Sequence, residues 1–341
     1  MKESTYYTVE KDGVVKCLLC PHHCTIKPGG RGACGVRENM GGRLMSLTYG
    51  NMAAYGVDPI EKKPLFHFFP GSTAFSIATV GCNLSCPFCQ NYSLSHAECE
   101  KQQDTGPDTS AEKVVEMALA SGSRSVCFTY SEPTVFFEYM LDIAKLAKDR
   151  GLKTTMVSNG YIEKEPLEEL APFLDGANID LKAFSERTYR EVLKGDLKPV
   201  CDTIAAMSAF GIWCEVTTLL VPGMNDSDEE LKRIASFLLS CGSVIPWHIT
   251  RFHPNGEWTH LDSTPRQSLY RAYETGKEAG LKYVYIGNVP GEKRESTFCP
   301  ACDRVVIERS GYHIGEIHLD TGGYCSFCGH LIEGVFDEAT D

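Results

Sequence analysis

Three cysteines in the run Cys82-Asn83-Leu84-Ser85-Cys86-Pro87-Phe88-Cys89 constrain this chain more than any other stretch. Their spacing is C-x3-C-x2-C. Iron-sulfur cubanes are held by thiolates and normally take four, so three close cysteines leave one iron open to a ligand that is not protein. The preceding segment, Phe75-Ser76-Ile77-Ala78-Thr79-Val80, is β-rich and ends at Gly81, which puts the cysteines on a loop leaving the carboxyl end of a strand. Parallel α/β folds carry their active sites at that end. The competing readings are buried structural cysteines, or three ligands of a zinc site completed elsewhere.

The text around the motif alternates. Strand-like runs fall at Phe75 to Val80, Ser125 to Thr129, Thr154 to Val157, Ala177 to Leu181, Trp213 to Leu220, Trp247 to Phe252 and Tyr283 to Ile286. Helix-like runs lie between them: Ala111 to Ala120 behind the cap Ser110, Val135 to Arg150, Leu167 to Leu174, Ser227 to Leu239 and Arg266 to Ala279. Strands alternating with helices imply βα units and a parallel sheet. A closed eight-stranded barrel takes about 250 residues, so about seven strands predict an α/β fold that is a partial, TIM-like (β/α) barrel. We divide the chain into a Cys-rich metal module at 1–49, an aromatic and proline-rich connector at 50–73, the partial barrel at 74–295 and a zinc-ribbon-like module at 296–341.

Composition narrows the setting. Lys and Arg number 33 against 45 Asp and Glu, a net charge of -12, which disfavours binding along a nucleic-acid backbone. The start, Met1-Lys2-Glu3-Ser4-Thr5, opens no apolar signal core, and no apolar run is long enough to span a bilayer, so the expected location is the cytoplasm, away from membranes. In that compartment 16 clustered cysteines favour metals over disulfides. Cys99, Cys127, Cys201, Cys214 and Cys241 read as ordinary thiols, with Cys127 and Cys214 in strand-like, core-bound runs.

Two outer groups of cysteines have metal-ligand spacing. Cys17, Cys20, Cys24 and Cys34, with turning glycines among them, can close a tetrahedral zinc site or hold an auxiliary iron-sulfur cluster; His22 or His23 could replace one thiolate. Cys299, Cys302, Cys325 and Cys328 form two C-x2-C knuckles flanking the β-rich Val305-Val306-Ile307, the pattern of a zinc ribbon. In the connector, Phe66, Phe68 and Phe69 should pack against the barrel, and His67 or Lys62 could border the site.

The central run, with the aromatic Phe88 before its last cysteine, resembles the signature of radical S-adenosylmethionine (SAM) enzymes. What the resemblance implies is a [4Fe-4S] cluster on Cys82, Cys86 and Cys89, SAM on the open iron, and reductive cleavage to a 5′-deoxyadenosyl radical. Other strand ends would then hold the rest of SAM. Tyr130-Ser131-Glu132-Pro133 sets a carboxylate where a methionine ammonium wants one. Ser158-Asn159 offers small polar groups, and Asp180 and Lys182 share a strand face on which they could clamp a zwitterion. His248, near Arg251, reads as a SAM or substrate contact or as a core histidine, and Asn288 follows the seventh strand. Glu132 could instead cap a helix, and Asp180 with Lys182 could be a plain barrel ion pair.

A closer resemblance runs nearly end to end. Cys17-x2-Cys20-Pro21-His22-His23-Cys24, Asp58-Pro59-Ile60-Glu61-Lys62-Lys63-Pro64-Leu65, Cys89-Gln90-Asn91, Ile179-Asp180-Leu181-Lys182, Pro246-Trp247-His248 and Gly287-Asn288-Val289-Pro290 resemble the AmmeMemoRadiSam system radical SAM enzyme. That family is similar to pyruvate formate-lyase activating enzymes, in which residues similar to Glu132, Asp180, Lys182 and His248 lie around SAM. Many relatives carry Gly-Gly-Glu-Pro where this chain has Tyr130-Ser131-Glu132-Pro133, so the glutamate alone carries over cleanly. The resemblance implies a flavodoxin or ferredoxin as electron donor and Memo-like and AMMECR-like companion proteins; it supplies no substrate and no catalytic residue. Three functions are weighed: an oxidoreductase abstracting hydrogen from an unidentified substrate, an activase of a glycyl-radical enzyme, and a non-catalytic iron-sulfur and zinc scaffold. A mouth closed by the terminal modules would favour a small substrate, a wide groove the activase, and a fully protein-ligated central cluster the scaffold.

Overall fold

Eight strands lie side by side in chain order in the computed structural model, which describes residues 1–96 and 109–336. Cys99 lies outside the described residues. The first strand of the eight is preceded by six short ones, β1 (Lys2–Glu3), β2 (Tyr7–Val9), β3 (Val15–Cys17), β4 (Thr25–Ile26), β5 (Arg37–Met40) and β6 (Arg43–Ser46). These make two small antiparallel sheets, β1-β6-β5 and β2-β3-β4.

The main sheet runs from β7 (Ala54–Pro59) through β8 (Thr73–Ala78), β9 (Ser125–Phe128), β10 (Lys153–Ser158), β11 (Gly176–Asp180) and β12 (Trp213–Leu220) to β13 (Trp247–Arg251) and β14 (Val284–Gly287). From β8 to β14 every pairing is parallel, while β7 is antiparallel to β8. The seven expected strands are therefore all present, each within two or three residues of its expected bounds. β7 is the difference: it begins inside the stretch read as a connector. Gly56, Asp58 and Pro59 mask it in the sequence, because they are poor strand formers tolerated at a sheet edge.

Helices fill the crossovers. They are α1 (Ala111–Ala120), α2 (Phe137–Asp149), α3 (Lys164–Leu170), α4 (Leu197–Ala209), α5 (Asp228–Cys241) and α6 (Arg266–Ala279). Ser110 and Ser227 cap α1 and α5 by accepting from the amides of Lys113 and Glu230. The buried stripe Ala111, Val114, Val115 and Ala118 shows why α1 faces the sheet. α4 is not announced by the sequence, since Pro199 sits in its first turn, where a missing N–H costs little.

One core joins the amino-terminal module to the barrel: Val15, Leu19, Ile26, Val36 and Leu44 belong to the same cluster as Ile77, Phe128, Ile179 and Val216. The connector aromatics pack as expected, Phe68 and Phe69 against Ile60, Leu65 and Cys127. Cys127 and Cys214 are buried; Cys201 and Cys241 are half-buried. The carboxyl-terminal module is a three-stranded sheet of β15 (Thr297–Phe298), β16 (Val305–Ser310) and β17 (His313–Ile317), carrying the expected strand from Val305. No described helix is long and apolar enough to cross a membrane.

Candidate active site at the strand ends

A cavity of about 940 Å³ opens at the carboxyl ends of β8 to β14, and Cys82, Cys86 and Cys89 form part of its wall. Three donors attend the sulfurs. The Leu84 amide points at Cys82 Sγ (3.4 Å), Asn159 Nδ2 reaches the same sulfur at 3.6 Å, and Ser95 Oγ donates to Cys89 Sγ at 3.3 Å. Such bonds favour thiolate and tune a bound cluster. Burial pushes the Cys86 thiol up to about 12, partly offset by Lys182, and raises Cys82 well above the ordinary thiol value, with the Glu132 charge adding to it. Metal binding must displace those protons. Among the described residues no fourth cysteine lines the cavity, so the donor set fits a cubane with one open iron. Phe88 is buried beside the cluster loop, its ring 5.2 Å from that of Trp258.

Every residue proposed from the strand ends borders this same cavity: Tyr130, Ser131 and Glu132 after β9, Ser158 and Asn159 at the end of β10, Asp180 and Lys182 at the end of β11, and His248 on β13. Glu132 is engaged on both oxygens. Oε1 accepts from the Thr134 amide (3.0 Å), Thr134 Oγ1 (2.8 Å) and Ser158 Oγ (2.7 Å), and Oε2 accepts from the Asn159 amide at 2.9 Å. It thus caps the turn Pro133–Phe136 and ties β9's loop to β10's, the structural role weighed against ligand binding. Each carboxylate oxygen offers about two acceptor sites, so Oε1 is fully taken and Oε2, with one donor, keeps one for a cation. Burial raises the Glu132 carboxyl, against these bonds.

Lys182 Nζ lies 2.8 Å from Asp180 Oδ2. Burial alone would lower the Lys182 ammonium, but Asp180 and then Cys86 outweigh it and hold the proton on. His248 Nε2 is 2.6 Å from Glu215 Oε2, so the histidine is both a cavity residue and a partnered one. Lys62 and Asn288 also reach the cavity wall. His67 does not: it is fully buried, with Nδ1 2.7 Å from the Glu333 carbonyl and Nε2 2.5 Å from the Tyr285 hydroxyl. Arg251 is turned to the Thr264 carbonyl (2.8 Å).

Several site features escape the sequence. Tyr130 adopts φ 64°, a left-handed conformation that glycine takes freely and tyrosine does not. Its hydroxyl donates to Asp58 Oδ2, which also accepts from Lys63 Nζ at 2.6 Å, while Lys62 Nζ takes Oδ1 at 2.8 Å. Burial would raise Asp58, yet these three donors hold its carboxyl well below the usual range. Ser131 Oγ and Thr217 Oγ1 are buried cavity-wall atoms without a hydrogen-bond partner, which a polar ligand would satisfy. Ser310, Gly311 and Tyr312 bring the carboxyl-terminal module into the wall.

At the carboxyl-terminal group the thiols converge. Cys299, Cys302, Cys325 and Cys328 place all four sulfurs within 4.8 Å of one another, with Cys299–Cys328 at 3.6 Å and Cys302–Cys325 at 3.8 Å. A tetrahedral zinc with bonds of about 2.3 Å sets its sulfurs about 3.8 Å apart. Cys17, Cys20, Cys24 and Cys34 border one small void. His22 borders the same void, with its Nε2 2.6 Å from the Asn83 carbonyl, and His23 Nε2 lies 2.9 Å from Glu163.

An open parallel barrel with three thiols and a polar, ligand-sized cavity at its strand ends defines a cluster-dependent α/β enzyme. The profile of the Radical SAM superfamily matches residues 76–237. An uncharacterized protein of Methanocaldococcus jannaschii is 41% identical over 337 residues, covering 98% of this chain and 100% of its own. The pyruvate formate-lyase-activating enzyme of Clostridium pasteurianum is 24% identical over 183 residues, 52% of this chain and 74% of that one. The solved structure of Streptococcus suis SuiB bound to S-adenosylmethionine matches 67% of this chain and 53% of its own at 15% identity, with a TM-score of 0.49. This chain belongs to the radical SAM superfamily. It is an enzyme of that class, whose members work with a [4Fe-4S] cluster and SAM, and its relatives include two Methanocaldococcus jannaschii proteins named as glycyl-radical enzyme activating enzymes.

Proposed function

We propose that Cys82, Cys86 and Cys89 hold the [4Fe-4S] cluster and that the neighbouring strand ends hold SAM for attack on a small substrate in the same cavity. When bound, the pair supplies reductive SAM cleavage and a hydrogen-abstracting 5′-deoxyadenosyl radical. The observation that carries this reading is the convergence of three thiols and the strand-end polar groups on one cavity that offers no fourth thiol among the described residues.

Asp180 and Lys182 then face the amino and carboxylate ends of the methionine moiety, and Oε2 of Glu132 accepts from its ammonium. Ser158 and Asn159 meet hydroxyls or the carboxylate, Phe88 shields the cluster, and Tyr130 and His248 position what binds beside it. A low-potential flavodoxin or ferredoxin delivers the electron, and Memo-like and AMMECR-like proteins are companions in the same system. Zinc occupies Cys299, Cys302, Cys325 and Cys328, favoured by sulfur spacings of 3.6 and 3.8 Å. The wall formed by Ser310, Gly311 and Tyr312 favours a small substrate over a peptide. The activase reading draws its support from the named relatives.

The test is anaerobic reconstitution with iron and sulfide, then dithionite and SAM, with 5′-deoxyadenosine quantified. Product that disappears in Cys86→Ala is expected. A full cluster that yields none would return the chain to the scaffold reading.

A further inference from the structure

We propose that Cys17, Cys20, Cys24 and Cys34 hold a second, cubane-type iron-sulfur cluster rather than a zinc ion.

The first observation is spacing. Among the described residues, the carboxyl-terminal quartet is the set of metal-ligating side chains whose donor atoms all lie within 4.8 Å. The amino-terminal thiols do not form such a group; they border a void that admits a water-sized sphere. A zinc ion about 2.3 Å from each sulfur leaves no such room, whereas a cubane spreads its four thiolates because each binds a different iron. The two quartets of one chain thus have different apertures, and the same four-cysteine chemistry takes a different metal in each.

The second observation is an orphaned donor. Arg37 borders the void and is 1% exposed. Its Nη1 reaches Ser4 Oγ (2.7 Å) and Glu138 Oε1 (3.0 Å), and its Nη2 reaches Glu138 Oε2 (2.6 Å), but Nε has no partner. A buried N–H left unpaired costs free energy. The sulfurs of a net-negative cluster are the acceptors this donor lacks. The Ala33 amide already points at Cys24 Sγ from 3.3 Å, in the manner of the Leu84 amide at Cys82.

The remaining wall fits the same group. Leu19, Ile26, Ala33 and Val135 supply its apolar part. The four thiols that border the void supply the all-thiolate set that iron-sulfur clusters take. The cage also touches the central loop: a Cβ on Gly81 would stand 2.7 Å from Val36 Cγ1 and 3.0 Å from the Cys34 carbonyl oxygen.

The site stands on its own residues and does not rest on the SAM reading. The experiment uses the full chain carrying Cys82→Ala, Cys86→Ala and Cys89→Ala, reconstituted anaerobically with iron and sulfide in the presence of zinc. The expected result is about four irons by the cubane count, with one zinc, a visible absorption band bleached by dithionite, and an electron paramagnetic resonance signal indifferent to SAM. Two zincs, no iron and no signal would overturn the proposal. Should that variant fail to fold, the unaltered chain decides: about eight irons and one zinc support the second cluster, and about four irons and two zincs defeat it. Failure of SAM cleavage would leave these counts unchanged, so the two proposals fail separately.

Discussion

His248 and Glu215 meet across neighbouring parallel strands, Nε2 2.6 Å from Oε2, with both side chains almost wholly out of water. Glu215 also accepts from the His67 amide at 2.8 Å and from Trp213 Nε1 at 3.0 Å. One carboxylate beneath the cavity therefore fixes the ring that faces it. Burial alone would raise this carboxyl, and the bond and charge of His248 together with the charge and amide of His67 lower it instead. Glu215→Ala leaves three buried donors unpaired, and we expect a loss of about 3–5 kcal/mol of stability, read by anaerobic denaturant unfolding. Glu215→Gln keeps an oxygen acceptor and should lose clearly less.

The Asp180–Lys182 pair gives a second prediction. Lys182→Met should raise the KM for SAM at least tenfold, or about 1.4 kcal/mol of binding, while iron content stays at the unaltered value. A variant with normal KM would reduce the pair to the barrel ion pair that the sequence also allowed.

Zinc removal is a third. Cys302→Ser should lose one zinc per chain and leave the iron count unchanged. Because the turn at Ser310, Gly311 and Tyr312 belongs to the cavity wall, amide exchange should quicken there and along β16 and β17. Unchanged exchange would detach the module from the site.

A pH effect follows from His67. Burial first, then Arg309, lowers its imidazole to about 4 from the ordinary 6.5, against the pull of Glu215. The unfolded chain takes a proton near 6.5, and the native chain refuses it until about 4. The stability due to the neutral ring is thus present above 6.5 and falls as the pH drops from 6.5 to 4. Between pH 7 and 5.5 the loss from this group is about 1 kcal/mol, measurable as the difference between the unaltered chain and His67→Gln in anaerobic unfolding.

Much of this site was legible because parallel strands repeat a simple rule. A buried apolar run followed by small polar residues marks a strand end, and Thr129-Tyr130-Ser131-Glu132, Ser158-Asn159 and Asp180-Leu181-Lys182 all obey it. The illegible parts depend on pairing at long range. Nothing in the neighbourhood of Tyr130 tells that Asp58 holds its hydroxyl, and with it a backbone conformation foreign to tyrosine. Thr217 reads as an ordinary strand residue, and only the cavity marks its hydroxyl as unpartnered. β7 and α4 were hidden by prolines at places where a proline costs little, a sheet edge and a first helical turn. The two four-cysteine groups already differ as text, one a C-x2-C-x3-C run with a later cysteine and the other two C-x2-C knuckles, but spacing along the chain leaves the metal of the first open.

Gly81 stands between the end of β8 and Cys82, and the space its missing side chain leaves is filled by Val36 and the Cys34 carbonyl. The first forty residues are accordingly the mould against which the active-site loop is cast. Residues 76–237, by which the superfamily is recognised, are less than the working enzyme. A barrel trimmed to that span would keep the three central cysteines and lose the surface that gives their loop its shape.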